Sequence, residues 1–181
     1  KFANDNNLLV IEDAAQSIGV RYKGRHCGTM GDIGVISFFA DKTLTTGEGG
    51  VVMTNNEEIF KKAQLIRNQG RPNSGTFIHS AFGMNFRITD MQAALGVAQL
   101  ERLDEIINSK LSKYQIYNEK LSGLKNIDLI ELKSYSNFVP FRFFIRTKNS
   151  IELENTLNLK GVQTRRFFYP MHLQQIGRAH V

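Results

Sequence analysis

The sequence predicts an α/β protein. Three short apolar runs, Leu8–Ile11, Ile33–Phe39 and Val51–Met53, have the length and branched residues of strands buried in a sheet. Stretches at 55–69 and 89–121 carry apolar residues at helical spacing instead. Glycine-rich and polar segments separate the runs, as expected where strands and helices alternate around one sheet.

Bulk properties narrow the class. The 181 residues allow one domain or two small ones, and 41% hydrophobic with 22% charged residues is ordinary for a globular protein. No apolar run approaches the roughly 20 residues that span a bilayer, so no membrane association is expected. The opening Lys1-Phe2-Ala3-Asn4 has no secretory pattern, and the single Cys27 excludes an internal disulfide framework; a cytoplasmic protein is expected. A net charge of +6 raises nucleic-acid binding as a hypothesis. The basic residues are scattered, however, with runs no denser than Lys61-Lys62 and Arg165-Arg166 and with Glu57, Glu58, Glu101, Asp104 and Glu105 among them. Solvated helix faces and sites for anionic substrates fit this better, and no nucleic acid is expected as a partner. Residues 176–181 read as a non-native tail and the chain as a fragment, so His180 is left out of functional reasoning.

In chain order, Leu8–Ile11 predicts a buried parallel strand closed by Glu12-Asp13. Asp13 is either a turn or cap aspartate or a functional carboxylate at a strand end, and Gln16 a polar loop residue. Arg21–Asp32 is turn-rich. Its adjacent His26 and Cys27 lack the second cysteine or matching histidine that a zinc site needs, so no metal is expected. Ile33–Phe39 predicts the next buried strand and contains Ser37. Lys42 follows in a polar loop, where open α/β sheets collect ligands. It is either a solvated charge or, in a closed pocket, an amine that loses its proton and attacks a carbonyl to form a Schiff base. Gly47–Gly50 predicts tight backbone geometry behind it, before the strand Val51–Met53.

Asn55 or Asn56 predicts the cap of a helix that Gly70 stops, and 70–83 a loop whose His79 is at the surface. Thr89 or Asp90 caps the next helix, which continues from Glu101 to Leu121 and breaks at Ser122-Gly123. Beyond it, Ile127–Leu132 and Phe138–Ile145 predict strands and Ile151–Leu159 a helix ended by Gly161. Taken alone, 161–172 reads as an aromatic core strand flanked by surface arginines.

Four motifs occur in a fixed order: Glu12-Asp13-Ala14-Ala15-Gln16; Ser37 through Lys42 to Gly50; Gly83-x-Asn85-x-Arg87 ahead of a helix with Gln92-Ala93-Ala94; and Gly161-x-x-Thr164-Arg165-x-x-Phe168-x-Pro170-x-His172. Together they resemble the DegT/DnrJ/EryC1/StrS family of sugar aminotransferases across residues 8–175, corresponding to the latter part of a family member. The lysine run is most similar to the perosamine-forming branch. The resemblance implies an aspartate aminotransferase-like, fold type I transferase dependent on pyridoxal 5'-phosphate (PLP). Residues 1–115 would then be part of a large domain and 116–175 an incomplete small C-terminal domain.

It also implies roles. Lys42 would hold PLP covalently and shuttle the proton, Asp13 would face the pyridinium nitrogen, and Gln16 would lie near the ring. Ser37, together with Asn85 from a neighbouring subunit, would bind the cofactor phosphate; Arg165 and His172 would border the substrate entrance. The implied reaction passes an amino group from L-glutamate to a nucleotide-linked 4-keto-6-deoxy sugar for surface polysaccharide or O-antigen, in a homodimer with shared sites. GDP-4-keto-6-deoxymannose is favoured, with UDP- and dTDP-linked sugars open. Relatives with histidine in place of the lysine act as sugar 3-dehydratases, a branch that Lys42 disfavours. A non-catalytic homologue or ligand-binding domain is the other rival, and the joint presence of Asp13, Ser37, Lys42 and Asn85 argues against it. Without the upstream half the chain is expected to be inactive and prone to aggregate through exposed sheet edges.

Overall fold

A computed structural model describes residues 1–73 and 75–175. The tail expected to be non-native, 176–181, lies outside the described residues. In chain order the elements are α1 (Phe2–Asp5), β1 (Ile11–Asp13), β2 (Arg21–Tyr22), β3 (Arg25–His26), β4 (Ile33–Ser37), β5 (Gly50–Met53), α2 (Glu57–Arg67), α3 (Asp90–Leu100), α4 (Leu103–Leu121), β6 (Asp128–Leu129), β7 (Ser136–Asn137), β8 (Ile145–Arg146) and α5 (Ser150–Leu159). They fall into two compact units. The first is Lys1–Lys120 with Glu131–Phe143; the second is Leu121–Ile130 with Phe144–Val181. Among the described residues no helix is long and apolar enough to cross a membrane.

In the first unit, β4 is the middle strand of the sheet β1-β4-β5, parallel to β1 and antiparallel to β5. Asp13 stands opposite Val35, and Ser37 opposite Gly50. Both chains therefore leave β1 and β4 at the same carboxyl end of the sheet. The strand expected over Leu8–Ile11 begins only at Ile11, and Leu9 (72%) and Ile11 (67%) are exposed. The cause is position: β1 is an edge strand among the described residues. A hairpin, β2–β3, extends to a third strand, β7, with Tyr22 edge-on to Tyr135 at 5.5 Å.

Local chemistry sets the helix starts. Asn56 Oδ1 accepts from Glu58 N (2.9 Å) and Ile59 N (3.1 Å) to cap α2. At α3, Thr89 and Gln92 form a reciprocal capping box. The helix expected to run on from α3 breaks at Glu101-Arg102, where Arg102 pairs with Glu105 at 2.7 Å, before α4 resumes.

The expected strand Phe138–Ile145 is mostly irregular. Pro140 has no N–H for a ladder, and the aromatic residues pack back onto α4 instead. Tyr114 meets Phe138 and Phe143 at 5.2 and 5.1 Å, and Tyr117 stacks on Phe143 at 5.1 Å. Val139, next to Phe138, is buried.

The second unit comprises the antiparallel pair β6–β8, α5, and a 3-10 turn at Met171–Leu173. Arg166 Nε donates to Glu154 Oε2 at 2.8 Å, joining the 162–170 segment to α5. That segment is not a core strand: Phe167, Phe168 and Tyr169 are 70, 67 and 66% exposed.

Candidate active site

Each strand of the parallel pair ends in a polar side chain. Asp13 closes β1, exposed, with Oδ1 accepting from Ala15 N at 3.1 Å. This is the turn role of an aspartate, and it occupies one carboxylate oxygen. Ser37 closes β4, and its Oγ accepts from Phe39 N at 3.2 Å, which leaves its O–H as a donor. Two residues beyond the register partner of Asp13, Ser37 lies about 7 Å further along the strand direction.

Glu12, next to Asp13, was not singled out by its sequence context. Its carboxylate accepts from the backbone N–H groups of Gly28 (2.9 Å), Gly31 (2.6 Å) and Met30. Partial burial pushes this carboxyl up. The donors of Gly31, Gly28 and Met30, with the charge of Arg25, outweigh burial and hold it below its ordinary 4.5. Glu12 thus ties the turn after β3 to the strand that ends in Asp13. In the full-length protein, Glu12→Gln is expected to cost about 1–3 kcal/mol at neutral pH. A carboxyl lowered in the folded state stabilises above its unfolded value, and that contribution disappears as pH falls through the folded value. Urea midpoints of native and Glu12→Gln protein should therefore diverge at pH 7 and converge as pH falls below 4.5 and through the lowered folded value.

Within the same turn, His26 is fully used. Its Nε2 accepts from Gly19 N (2.9 Å), so the proton is on Nδ1, which donates to Cys27 O (2.6 Å).

The loop that carries Lys42 is folded tightly on itself. Phe38 O accepts from Thr46 N (2.9 Å) and Thr45 Oγ1 (3.0 Å), and Phe38 N donates to Gly49 O (2.8 Å). Leu44, Thr43 and Thr46 are buried. Helix α3 grips this loop through two glutamines. Gln99 Oε1 accepts from Thr45 N (3.2 Å) while its Nε2 donates to Thr45 O (2.6 Å), and Gln92 Nε2 donates to Glu48 O (3.2 Å). Lys42 itself is half-buried, with Nζ 4.9 Å from the Phe141 ring centroid. Arg142 lies over the same ring at 4.8 Å and donates to Asp41 Oδ2 at 2.6 Å. Burial, then the charges of Lys113 and Arg142, pushes the Lys110 amine down.

The other candidates are placed as follows. Gln16 is exposed in the turn after β1. Asn85 is on the loop before α3, bridged to Asn68, and its Oδ1 accepts from Arg87 Nε at 3.1 Å. Arg165 and His172 belong to the second unit, where both are exposed. Asp13 and Ser37 thus close neighbouring parallel strands at the same end of the sheet, and Lys42 lies in the loop that follows Ser37. The glutamines of α3 and Glu12 are the supports that sequence reasoning missed. For the former, the available signal was a pair of amides seven residues apart, on one face of a predicted helix.

Comparison with known proteins matches residues 1–180 to the DegT/DnrJ/EryC1/StrS aminotransferase family, and the chain belongs to that family. Its structural neighbours are sugar aminotransferases of fold type I, so the sheet described above is part of that fold. It is 37% identical over 173 residues to GDP-perosamine synthase of Escherichia coli O157:H7, covering 95% of this chain and 48% of that protein. The crystal structure of the aminotransferase TlmJ from Streptoalloteichus hindustanus matches with a TM-score of 0.91 at 28% identity, over 97% of this chain and 49% of that one. S. venezuelae DesV, solved with a ketimine intermediate, matches with a TM-score of 0.88 at 31% identity, over 98% and 48%. The chain thus spans about half the length of the relatives it matches.

Proposed function

We propose that the chain is part of a PLP-dependent aminotransferase that passes the amino group of L-glutamate to a nucleotide-linked 4-keto-6-deoxy sugar. What supports this reading is that Asp13 and Ser37 close neighbouring parallel strands at the carboxyl end of the sheet, with Lys42 in the loop after Ser37, inside a chain of this family. The donor set fits the cofactor: a carboxylate for a ring nitrogen, a hydroxyl donor for a phosphate, and an amine for an aldehyde. The GDP-perosamine synthase relatives favour a GDP-linked sugar in surface polysaccharide synthesis.

When bound, PLP supplies an aldehyde for amine exchange and a ring that draws electrons from the substrate carbon. The chain's residues supply the rest. Lys42 Nζ takes the proton from the donor carbon and returns one to the sugar carbon, with the α3 glutamines fixing its loop. The Asp13 carboxylate would hold the ring nitrogen protonated. Ser37 Oγ would donate to the cofactor phosphate, and Gln16 would lie near the ring. Asn85 would donate to the phosphate of the neighbouring subunit's cofactor, which would make a homodimer the working unit. Arg165 offers its guanidinium fork to an anionic group of the substrate and His172 a polar edge at the entrance. In this reading residues 1–115 belong to the large cofactor domain, 116–175 to the small one, and the protein is cytoplasmic, in keeping with one unpaired cysteine, Cys27.

The test is amino transfer by the full-length protein from L-glutamate to GDP-4-keto-6-deoxymannose, with UDP- and dTDP-linked keto sugars as competitors. Product is expected only with PLP present. Asp13→Asn should lower kcat by about 10²-fold or more. Equal kcat in that variant would remove Asp13 from the mechanism.

A further inference from the structure

We infer that Arg71 is an anion-binding residue whose ligand is a phosphate group, carried either by the nucleotide-sugar substrate or by the cofactor. The inference rests on the function proposed above. Arg71 is only 7% exposed, and its Nε is buried without a hydrogen-bond partner among the described residues. No described carboxylate pairs with it. Its contact partner is the Phe77 ring, 5.4 Å from the guanidinium carbon. A ring face does not replace the hydrogen bond that the buried Nε–H gives up, and an oxygen ligand on this edge of the guanidinium would supply it.

The residue is also held in place. Arg71 N donates to Asn68 O (3.1 Å), Asn68 Nδ2 donates back to Arg71 O (3.0 Å), and Ser80 N donates to Gly70 O (2.9 Å). Gly70 (φ +73°) and Ala81 cross so closely that a Cβ on Gly70 would overlap the Ala81 carbonyl. The Arg71 backbone is therefore set before any ligand arrives, the arrangement of a binding residue rather than of a free surface arginine.

Charge and placement point to phosphate. Between Arg67 and Arg87 the chain carries three arginines, Arg67, Arg71 and Arg87, and no Asp or Glu. The segment carrying Arg71 is laced to the one carrying Asn85: Gln69 N donates to Met84 O (3.0 Å), Phe86 N donates to Arg67 O (3.1 Å), and Asn68 bridges Asn85. A planar fork in an acid-free, cationic stretch is suited to a multiply charged tetrahedral anion.

The experiment uses full-length protein, native, Arg71→Gln and Arg71→Lys, titrated calorimetrically with GDP and with PLP, with sedimentation and thermal melts on each. Arg71→Gln is expected to weaken one of the two ligands by about 10- to 100-fold, with only partial recovery in Arg71→Lys. Loss confined to GDP assigns the nucleotide diphosphate; loss confined to PLP assigns the cofactor. Unchanged affinity for both in folded Arg71→Gln protein overturns the inference. So does its dissociation to monomers with phosphate affinity retained by Arg71→Lys, which would assign a carboxylate of the second subunit. If native protein binds neither GDP nor PLP, the function proposed above fails, and pyrophosphate becomes the probe: weaker binding by Arg71→Gln supports the inference and equal binding overturns it.

Discussion

Lys42→Ala in the full-length protein is expected to lower kcat for amino transfer by about 10³-fold or more while leaving the melting temperature nearly unchanged. The two parts of that expectation have different origins. The proposed chemistry needs a primary amine at this point, both to exchange with an aldehyde and to carry the proton between substrate and cofactor carbons. The fold does not need it. The loop is held by Thr45, Thr46, Phe38 and Gln99, and buried Leu44 supplies its core contact. Among the described residues, the lysine side chain approaches the Phe141 ring. Lys42→Arg preserves the charge and the ring contact but offers no amine, so it should lose as much activity as alanine. Steady-state kinetics beside thermal melts would show this. An arginine variant with activity within tenfold of native would remove the amine from the chemistry.

Gly34→Ala is expected to be the most damaging single change to the fold, costing about 3 kcal/mol or more. Gly34 is buried in the central strand, paired with Glu12 of β1 and Met53 of β5. A Cβ there would overlap the carbonyl of Gly28. That neighbour is backbone and cannot rotate away, and Gly28 N is itself held by Glu12. Relief would require the turn after β3 to lift off the sheet and give up the Glu12 bonds. Urea unfolding and soluble yield check this; a variant within 1 kcal/mol of native would show that the turn yields easily.

Much of the architecture could be read in the sequence where the governing physics is local. Asn56 and Thr89 announce their helices because a cap is satisfied within three residues. Lys42 and Asp13 stand out because each follows a strand-like run and closes on a polar turn. Four other residues were hidden by sequence distance. Gln99 meets Thr45 across 54 residues, Arg142 meets Asp41 across 101, Glu12 meets a turn 16 to 19 residues on, and Arg71 is defined by a partner it lacks among the described residues. None of these has a periodicity to reveal it. Phe138–Ile145 misleads for another reason: an aromatic segment that packs against a helix has the same composition as a strand, and only Pro140 hints at the difference. The exposed β1 was likewise legible as apolar but not as an edge, because which strand neighbours another is not written in the strand itself.

The most direct measurement is an absorbance spectrum of the full-length protein with PLP, native and Lys42→Ala, before and after adding L-glutamate. A lysine-dependent band in native protein that converts on adding L-glutamate, and is missing from Lys42→Ala, is the result expected of a cofactor held on Lys42 and used for amino transfer. Identical spectra for the two proteins, unresponsive to L-glutamate, would contradict it.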